Sequence, residues 1–401
     1  MKHFYILLLF VMAGFSALSQ YQFDNKLFKT VYLEDLCREL KKNPKHLLLD
    51  VRSRGEHEDT SIYKYLNIGH LKDAKHLDIR ELPTRWRELL PYKDQPVFVY
   101  CSHSQRSRRA SKLLADSGFT NVININGGLT GFHMIEDQID CARLLESGVP
   151  YEFISPGEFC KVAGKDNVVM VDIRSDSIRK GISQLERQNA EGYIRGSMHI
   201  PLKDLAASLS SIPRNKTVLV IDEYGNESPD AAKQLISAGY KKVAILFNGM
   251  EGFAGLTPAE AGCKKDWLVQ HVGYHIVSPR ELNSLAQEQN LMLVDLRSAD
   301  EFNNKAKDAW RNVGNLKNAR NIPYPALENS LDSLPPTKNT PLLLYTFSGQ
   351  PEAYDAAKKL SAKGYTQVSV LEGGIFNLKW TAANIRNQAK LNEWVVNVPG
   401  P

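Results

Sequence analysis

Val97 to Leu114 reads VFVYCSHSQRSRRASKLL. Four apolar or aromatic residues run unbroken into Cys101, as in a parallel strand covered on both faces. A short polar turn closes on Arg106. From Ser107 the period changes. Ala110, Leu113 and Leu114 stand at i, i+3 and i+4, one buried face of a helix, and Gly118 is a natural terminator. Strand, turn and helix in this order place Cys101 at the carboxyl end of a parallel strand, where ligands bind in such sheets. N–H groups of the turn and of the first helical residues aim at that end and favour a negative charge there.

The rest of the chain repeats the pattern. A β-rich run ending in Asp-x-Arg occurs at Asp50/Arg52, Asp172/Arg174 and Asp295/Arg297. A glycine-led motif follows each: GHLKDAKHLD from Gly69, GYIRGSMHIP from Gly192, GNLKNARNIP from Gly314. Next come the apolar strands VFVYC, VLVID and LLLYT, then an amphipathic stretch ending at Gly118, Gly239 or Gly364. Each unit closes on NGG, NGM or EGG. The second and third units open on Ser-Pro-x-Glu (Ser155 to Glu158, Ser278 to Glu281), a capping box with proline at the first helical position. Short apolar runs alternating with helical patterns predict parallel strands joined by helices. The expected architecture is α/β: three tandem domains over 21–135, 151–255 and 273–385, each a mainly parallel sheet with helices on both faces. A unit of this size has its own core, so the repetition is domain duplication rather than a solenoid.

Asp-x-Arg, Gly-His-Leu-x-x-Ala, strand-Cys-x4-Arg-Ser-helix and Gly-Gly, in this order, resemble the rhodanese domain. The resemblance covers nearly all of the chain after its first residues, three times over. It implies a sulfurtransferase that carries a sulfane sulfur as a persulfide on the loop cysteine. Cys101 is then the catalytic residue, and Ser102, His103, Ser104, Gln105, Arg106 and Ser107 form the substrate-binding loop. Arg106 supplies a fixed charge and forked donors for an anion such as thiosulfate; Arg108 and Arg109 lie just outside, as solvated or anion-steering charges. Loops of this family often carry glycine where this chain has Ser104, and a serine held there at positive φ is strained by roughly 1 kcal/mol.

Only the first unit keeps the equipment. In the second, Asp222 takes the cysteine position and Glu227 the arginine position. In the third, Thr346 takes the cysteine position, the loop is one residue longer, and Pro351 removes a donor near the helix start. Neither makes a persulfide, so both are expected to be inactive. Two other functions compete: a non-enzymatic binding or adaptor protein, and a phosphatase or arsenate reductase of the dual-specificity type. The latter share the fold, but with one more residue between cysteine and arginine.

The bulk composition agrees with a globular enzyme. The chain has 401 residues, 43% hydrophobic and 24% charged, with a net charge of +5. Residues 21–135 hold 19 Lys+Arg against 14 Asp+Glu, so the excess lies in the cysteine-bearing unit. That suits a small anionic sulfur donor, with a thiol as acceptor. There is no basic run with interleaved aromatics, so nucleic acid is not an expected partner. No CxxC or Cys/His spacing points to a metal, and no cofactor is expected. Lys2, the apolar run Phe4 to Leu18 and the small residues Ala17 and Ser19 predict a signal peptide over 1–19. The run is short for a bilayer span, so the expectation is export to the periplasm or beyond, without stable membrane insertion.

Of the other cysteines, Cys37 and Cys160 occupy equivalent positions after the apolar Leu36 and Phe159 and read as buried small side chains. Cys141 and Cys263 fall in the linkers, where they could bond to each other or act as resolving thiol for Cys101. Asp50 and Arg52, with their repeats, read as polar contacts at a strand end, and His70 and His199 as structural.

Overall fold

The computed structural model describes residues 26–139, 141, 144–287 and 290–399. The expected signal peptide lies outside the described residues.

The first repeat forms β1 (Lys29–Val31), α1 (Leu33–Lys42), β2 (Leu47–Asp50), a one-turn helix α2 (Arg54–His57), β3 (Lys75–His76), β4 (Val97–Tyr100), α3 (Gln105–Asp116), β5 (Val122–Ile125) and α4 (Gly128–Met134). Its sheet runs β1-β5-β4-β2-β3, all parallel. Every residue of β2, β4 and β5 is buried, which is why their sequences do not alternate. Leu48, Phe98 and Ile123 face one apolar core with Leu36 and Phe132. Leu49, Val97 and Val99 face the other with Ala110 and Leu114. The helices therefore cover both sheet faces, with β4 and its Cys101 at the centre.

The second repeat contributes β6 (Glu152–Ile154), β7 (Val168–Asp172), β8 (Met198–His199), β9 (Thr217–Ile221), α5 (Ser228–Ser237) and β10 (Val243–Leu246). The third contributes β11 (His275–Val277), β12 (Met292–Asp295), β13 (Arg320–Asn321), β14 (Leu342–Tyr345), α6 (Pro351–Ala362) and β15 (Val368–Leu371). Each repeat has one five-stranded sheet in the order of the first. By compactness the chain forms two units, one reaching Phe159 with Gly225–Phe247 added, the other Cys160–Tyr224 with Asn248 onwards.

The chain leaving each repeat turns back onto it. Leu145–Glu146 pairs antiparallel with His70–Leu71, Leu268–Val269 with Tyr193–Ile194, and Val395–Val396 with Asn315–Leu316. This return corrects the reading of the cysteines. It brings Cys141 to Cys37 and Cys263 to Cys160, with Cα–Cα distances of 5.7 and 5.8 Å, and both pairs are disulfide-bonded. Each bond ties a repeat's first helix to its own return segment, so Cys141 and Cys263 neither bond to each other nor serve as resolving thiols. In the third repeat Asn283 takes the place of the cysteine and accepts a hydrogen bond from Trp394 of the return segment at 2.8 Å.

The Asp-x-Arg motif does one job three times. Arg52 grips Asp50 through Nε and Nη2 and donates to the Gly69 carbonyl at 2.7 Å. Arg174 and Arg297 bond in the same way to the Gly192 and Gly314 carbonyls. This joins the end of the second strand to the glycine-led motif. His199 bonds the Arg174 carbonyl, and His76 bonds that of Arg52. The capping box at Ser278 and Glu281 forms as expected.

Candidate active site

β4 ends at Tyr100, and Cys101 follows with 1% of its surface exposed. It is the free cysteine among the described residues. The turn is tighter than its sequence suggests. Ser104 sits at φ 75°, ψ −18°, a left-handed conformation, and the chain enters α3 at once, two residues before Ser107. Gln105 and Arg106 are thus on the first helical turn, and Arg108 N–H closes it on the Ser104 carbonyl at 3.0 Å.

Ser104 is where a serine replaces the expected glycine. Its counterpart in the second repeat, Gly225, has φ 80°, as does Gly349 of the third-repeat loop at 73°. The strain of roughly 1 kcal/mol in an L-residue there is offset by what the side chain gains. Its Oγ donates to Asn126 Oδ1 at 3.2 Å and accepts from the Gly127 N–H at 2.5 Å. Ser104 therefore staples the Cys101 loop to the Gly-Gly turn. Gly128 completes the contact: a Cβ there would stand 2.3 Å from the Cys101 carbonyl oxygen, which instead accepts the Leu129 N–H at 2.9 Å.

Ser107 Oγ lies 3.7 Å from the thiol. That hydroxyl also lies 2.7 Å from Asn124 Oδ1 and 3.1 Å from the Ser104 carbonyl. Arg106 stands at the loop's mouth. Its Nη2 donates to Ser102 Oγ at 2.8 Å, and both terminal nitrogens grip Glu56 of α2, at 2.6 and 2.7 Å. The Glu56 hydrogen bonds, together with the nearby Cys101 sulfur, raise the guanidinium pKa further, so Arg106 stays charged. Burial alone would raise the Glu56 carboxyl pKa; the Arg106 fork and the Ser53 N–H outweigh it and hold it below the ordinary value. His103 is exposed at its surface, yet desolvation by the surrounding protein, then Arg106, lowers its imidazole pKa. It is the neutral ring at neutral pH.

The loop residues therefore divide. Cys101, Ser102 and Arg106 form the centre of the site, with His103 and Gln105 exposed around it. Ser104 and Ser107 are fully buried and shape the loop from within. Arg108, read from the sequence as a charge outside the loop, is 2% exposed and donates to Asn126 Oδ1 at 2.5 Å. Arg109 is exposed.

Three residues of the site escaped the sequence reading: Glu56, Asn124 and Asn126. Glu56 had a local signal, since Ser53-x-x-Glu56 is a capping box. The asparagines had one in the repeat comparison. Their positions hold Ile245 and Phe247 in the second repeat, and Val370 and Glu372 in the third. Only the unit with the cysteine places amides beneath the loop.

The second repeat loses both halves of the ion pair together: Ile178 replaces Glu56, and Glu227 replaces Arg106. Its Asp222 is buried, and the next residue, Glu223, accepts from Arg174 at 3.1 Å. In the third repeat Glu301 keeps the capping box but pairs with Arg311, outside the loop, at 2.5 Å.

The comparisons with known proteins agree with the repeat. The family model described as rhodanese-like domain matches residues 33–134, 155–256 and 278–381. An uncharacterized protein of Bacillus subtilis, YqhL, is 28% identical over 128 residues, 32% of this chain and 90% of its own length. A tRNA uridine(34) hydroxylase of Cytophaga hutchinsonii is 31% identical over 86 residues, 21% of this chain and 25% of that protein. Among solved structures, a thiosulfate sulfurtransferase from Pseudomonas aeruginosa matches 86% of this chain and 66% of its own, at 19% identity and a TM-score of 0.22.

Proposed function

The chain belongs to the rhodanese-like domain family, and from that premise we propose that it is an exported sulfurtransferase whose first repeat carries sulfane sulfur on Cys101. Sulfurtransferase chemistry is the family-level activity; the persulfide, the donor class and export are the finer reading. The observation that carries it is the free Cys101 at the end of β4 with Arg106 at its mouth, a combination the other two repeats lack.

The Cys101 thiolate attacks the outer sulfur of a donor such as thiosulfate. The donor's S–S bond breaks, sulfite leaves with the electron pair, and Cys101 holds an S–S⁻ group. A thiolate acceptor, or cyanide in an assay, then attacks the terminal sulfur and frees the Cys101 thiolate, a ping-pong sequence. The Ser107 hydroxyl lies beside the sulfur, and Arg106 meets the donor's charge. The near-complete burial of Cys101 restricts attack to a slender sulfur presented end-on. The two disulfides support export, since such bonds persist in oxidising compartments.

The deciding experiment incubates the chain without its first 19 residues with thiosulfate, mercaptopyruvate and glutathione persulfide, and follows the mass of the Cys101 peptide. A gain of one sulfur atom there, and its absence in Cys101→Ser with unchanged circular dichroism, is expected. Turnover by the Cys101→Ser variant overturns the proposal.

A further inference from the structure

Beneath the Cys101 loop, one hydroxyl meets more acceptors than it has protons to give. Ser107 Oγ stands 2.7 Å from Asn124 Oδ1, 3.1 Å from the Ser104 carbonyl and 3.7 Å from the Cys101 sulfur. A hydroxyl carries one proton and two lone pairs. While Cys101 is a thiol, the count closes. The S–H donates to Ser107 Oγ, and the hydroxyl proton goes to Asn124 Oδ1 or the Ser104 carbonyl. Once the thiol has given its proton to water, the sulfur too is only an acceptor. Three acceptors then face one proton, and the short contact to Asn124 Oδ1 holds that proton away from the sulfur.

Asn124 has the means to resolve this. It is fully buried in β5, and its Nδ2 has no hydrogen-bond partner among the described residues. A half-turn of the amide about its own bond exchanges Oδ1 and Nδ2 in the same space. Nδ2 then donates to Ser107 Oγ and leaves the hydroxyl proton for the sulfur. The turn breaks no bond that Nδ2 makes, and it partners a buried donor that otherwise has none. The other repeats fit this role. The second keeps a serine, Ser228, at the position of Ser107, but has Asp222 for Cys101 and Ile245 for Asn124. The third has Thr346 for the cysteine and Val370 for the asparagine. The amide goes with the cysteine, whereas the serine does not require it.

We propose that Asn124 is a positioning residue for the Cys101 thiolate: by turning its amide it directs the Ser107 hydroxyl proton onto the sulfur when the sulfur is charged, and off it when the sulfur is protonated. The inference rests on the reading of Cys101 as the nucleophile, since the thiolate is the form that attacks. Asn124 does not touch the sulfur; it acts through Ser107.

A pH titration of the ultraviolet thiolate absorbance tests this on the leaderless chain with no sulfur donor present. Cys101→Ser is the blank, and the other cysteines are bonded and silent. Ser107→Ala should raise the midpoint by about one pH unit, the tenfold effect of one hydrogen bond to a charged group. Ser107→Thr, which restores a hydroxyl, should return it to the parent's value. Asn124→Val, which copies the third repeat, and Asn124→Ala should each raise it by about half a unit. Neither should add anything in the Ser107→Ala background, because the amide acts only through the hydroxyl. A midpoint that falls or stays fixed in both Asn124 variants means an amide that only holds the proton back, or does nothing, and overturns the proposal. A further rise in the double variant, or no rescue by Ser107→Thr, overturns it too. The titration needs no sulfur uptake, so its failure is distinct from failure of the sulfurtransferase reading, which the persulfide mass tests.

Discussion

Replacing Glu56 with glutamine changes the charge at the mouth of the Cys101 loop while nearly preserving its shape. Glu56 neutralises Arg106 through two hydrogen bonds of 2.6 and 2.7 Å, and it caps α2 by accepting the Ser53 N–H at 3.0 Å. A glutamine keeps one oxygen for the cap and turns an amide toward the guanidinium. The Glu56 side chain is 5% exposed and that of Arg106 is 25% exposed, so the pair is only partly screened. Losing it costs on the order of 1–2 kcal/mol of stability, below the value for a fully buried pair. For a dianionic donor the change is favourable. A carboxylate roughly 6 Å from thiosulfate repels it by about 1–3 kcal/mol after solvent and salt screening. Glu56→Gln should therefore lower the KM for thiosulfate about tenfold, and this gain should shrink with added salt. The assay is thiosulfate:cyanide turnover at several ionic strengths, with thermal unfolding as control. If the KM for thiosulfate rises while the variant stays folded, Glu56 acts by positioning Arg106, and the charge argument fails.

Other residues give independent tests. Ser104→Ala keeps the left-handed strain and leaves the Gly127 N–H without its acceptor, so it should destabilise by about 1–3 kcal/mol. Ser104→Gly, which also relieves the strain, should fall within about 1 kcal/mol of the parent in urea unfolding; equal losses for both refute the staple. Burial, and then the Glu251 carboxylate, push the Glu372 pKa up to about 7. An unfolded glutamate titrates near about 4.3, so between these values the folded chain holds a proton the unfolded chain has lost, and stability falls as pH rises. Relative to the parent, Glu372→Gln should gain on the order of 2 kcal/mol at pH 8 and nothing at pH 4; a pH-independent difference would refute this. Opening the Cys160–Cys263 bond, whose ends lie 103 residues apart, by a double serine substitution should cost about 2–4 kcal/mol in chemical unfolding. If Cys101 carries sulfur as proposed, its persulfide should still form in that variant, because both cysteines are bonded away from Cys101.

Comparison among the repeats made much of the site legible. Cys101 and Arg106 stood out because two similar loops had replaced them. The same comparison contained Asn124 and Asn126, but amides in an apolar strand are silent until the tertiary structure shows which hydroxyl and guanidinium they meet. Glu56 was legible as a helix cap, not as the counter-charge of an arginine 50 residues later, because that pairing depends on where α2 ends relative to β4. The disulfides were misread for a related reason. Spacing showed that Cys37 matches Cys160 and that Cys141 and Cys263 both lie in linkers, but not that each linker folds back on its own repeat.

The sequence by itself therefore determined the threefold α/β plan and which unit keeps a cysteine and an arginine in its loop, since both follow from local period and from replacement between repeats. Only the tertiary structure decided the state of that site: an arginine whose charge is balanced by Glu56, and a left-handed Ser104 stapled to the Gly-Gly turn. Those contacts join segments far apart in the chain, and their energies depend on distance and burial, which no residue pattern specifies.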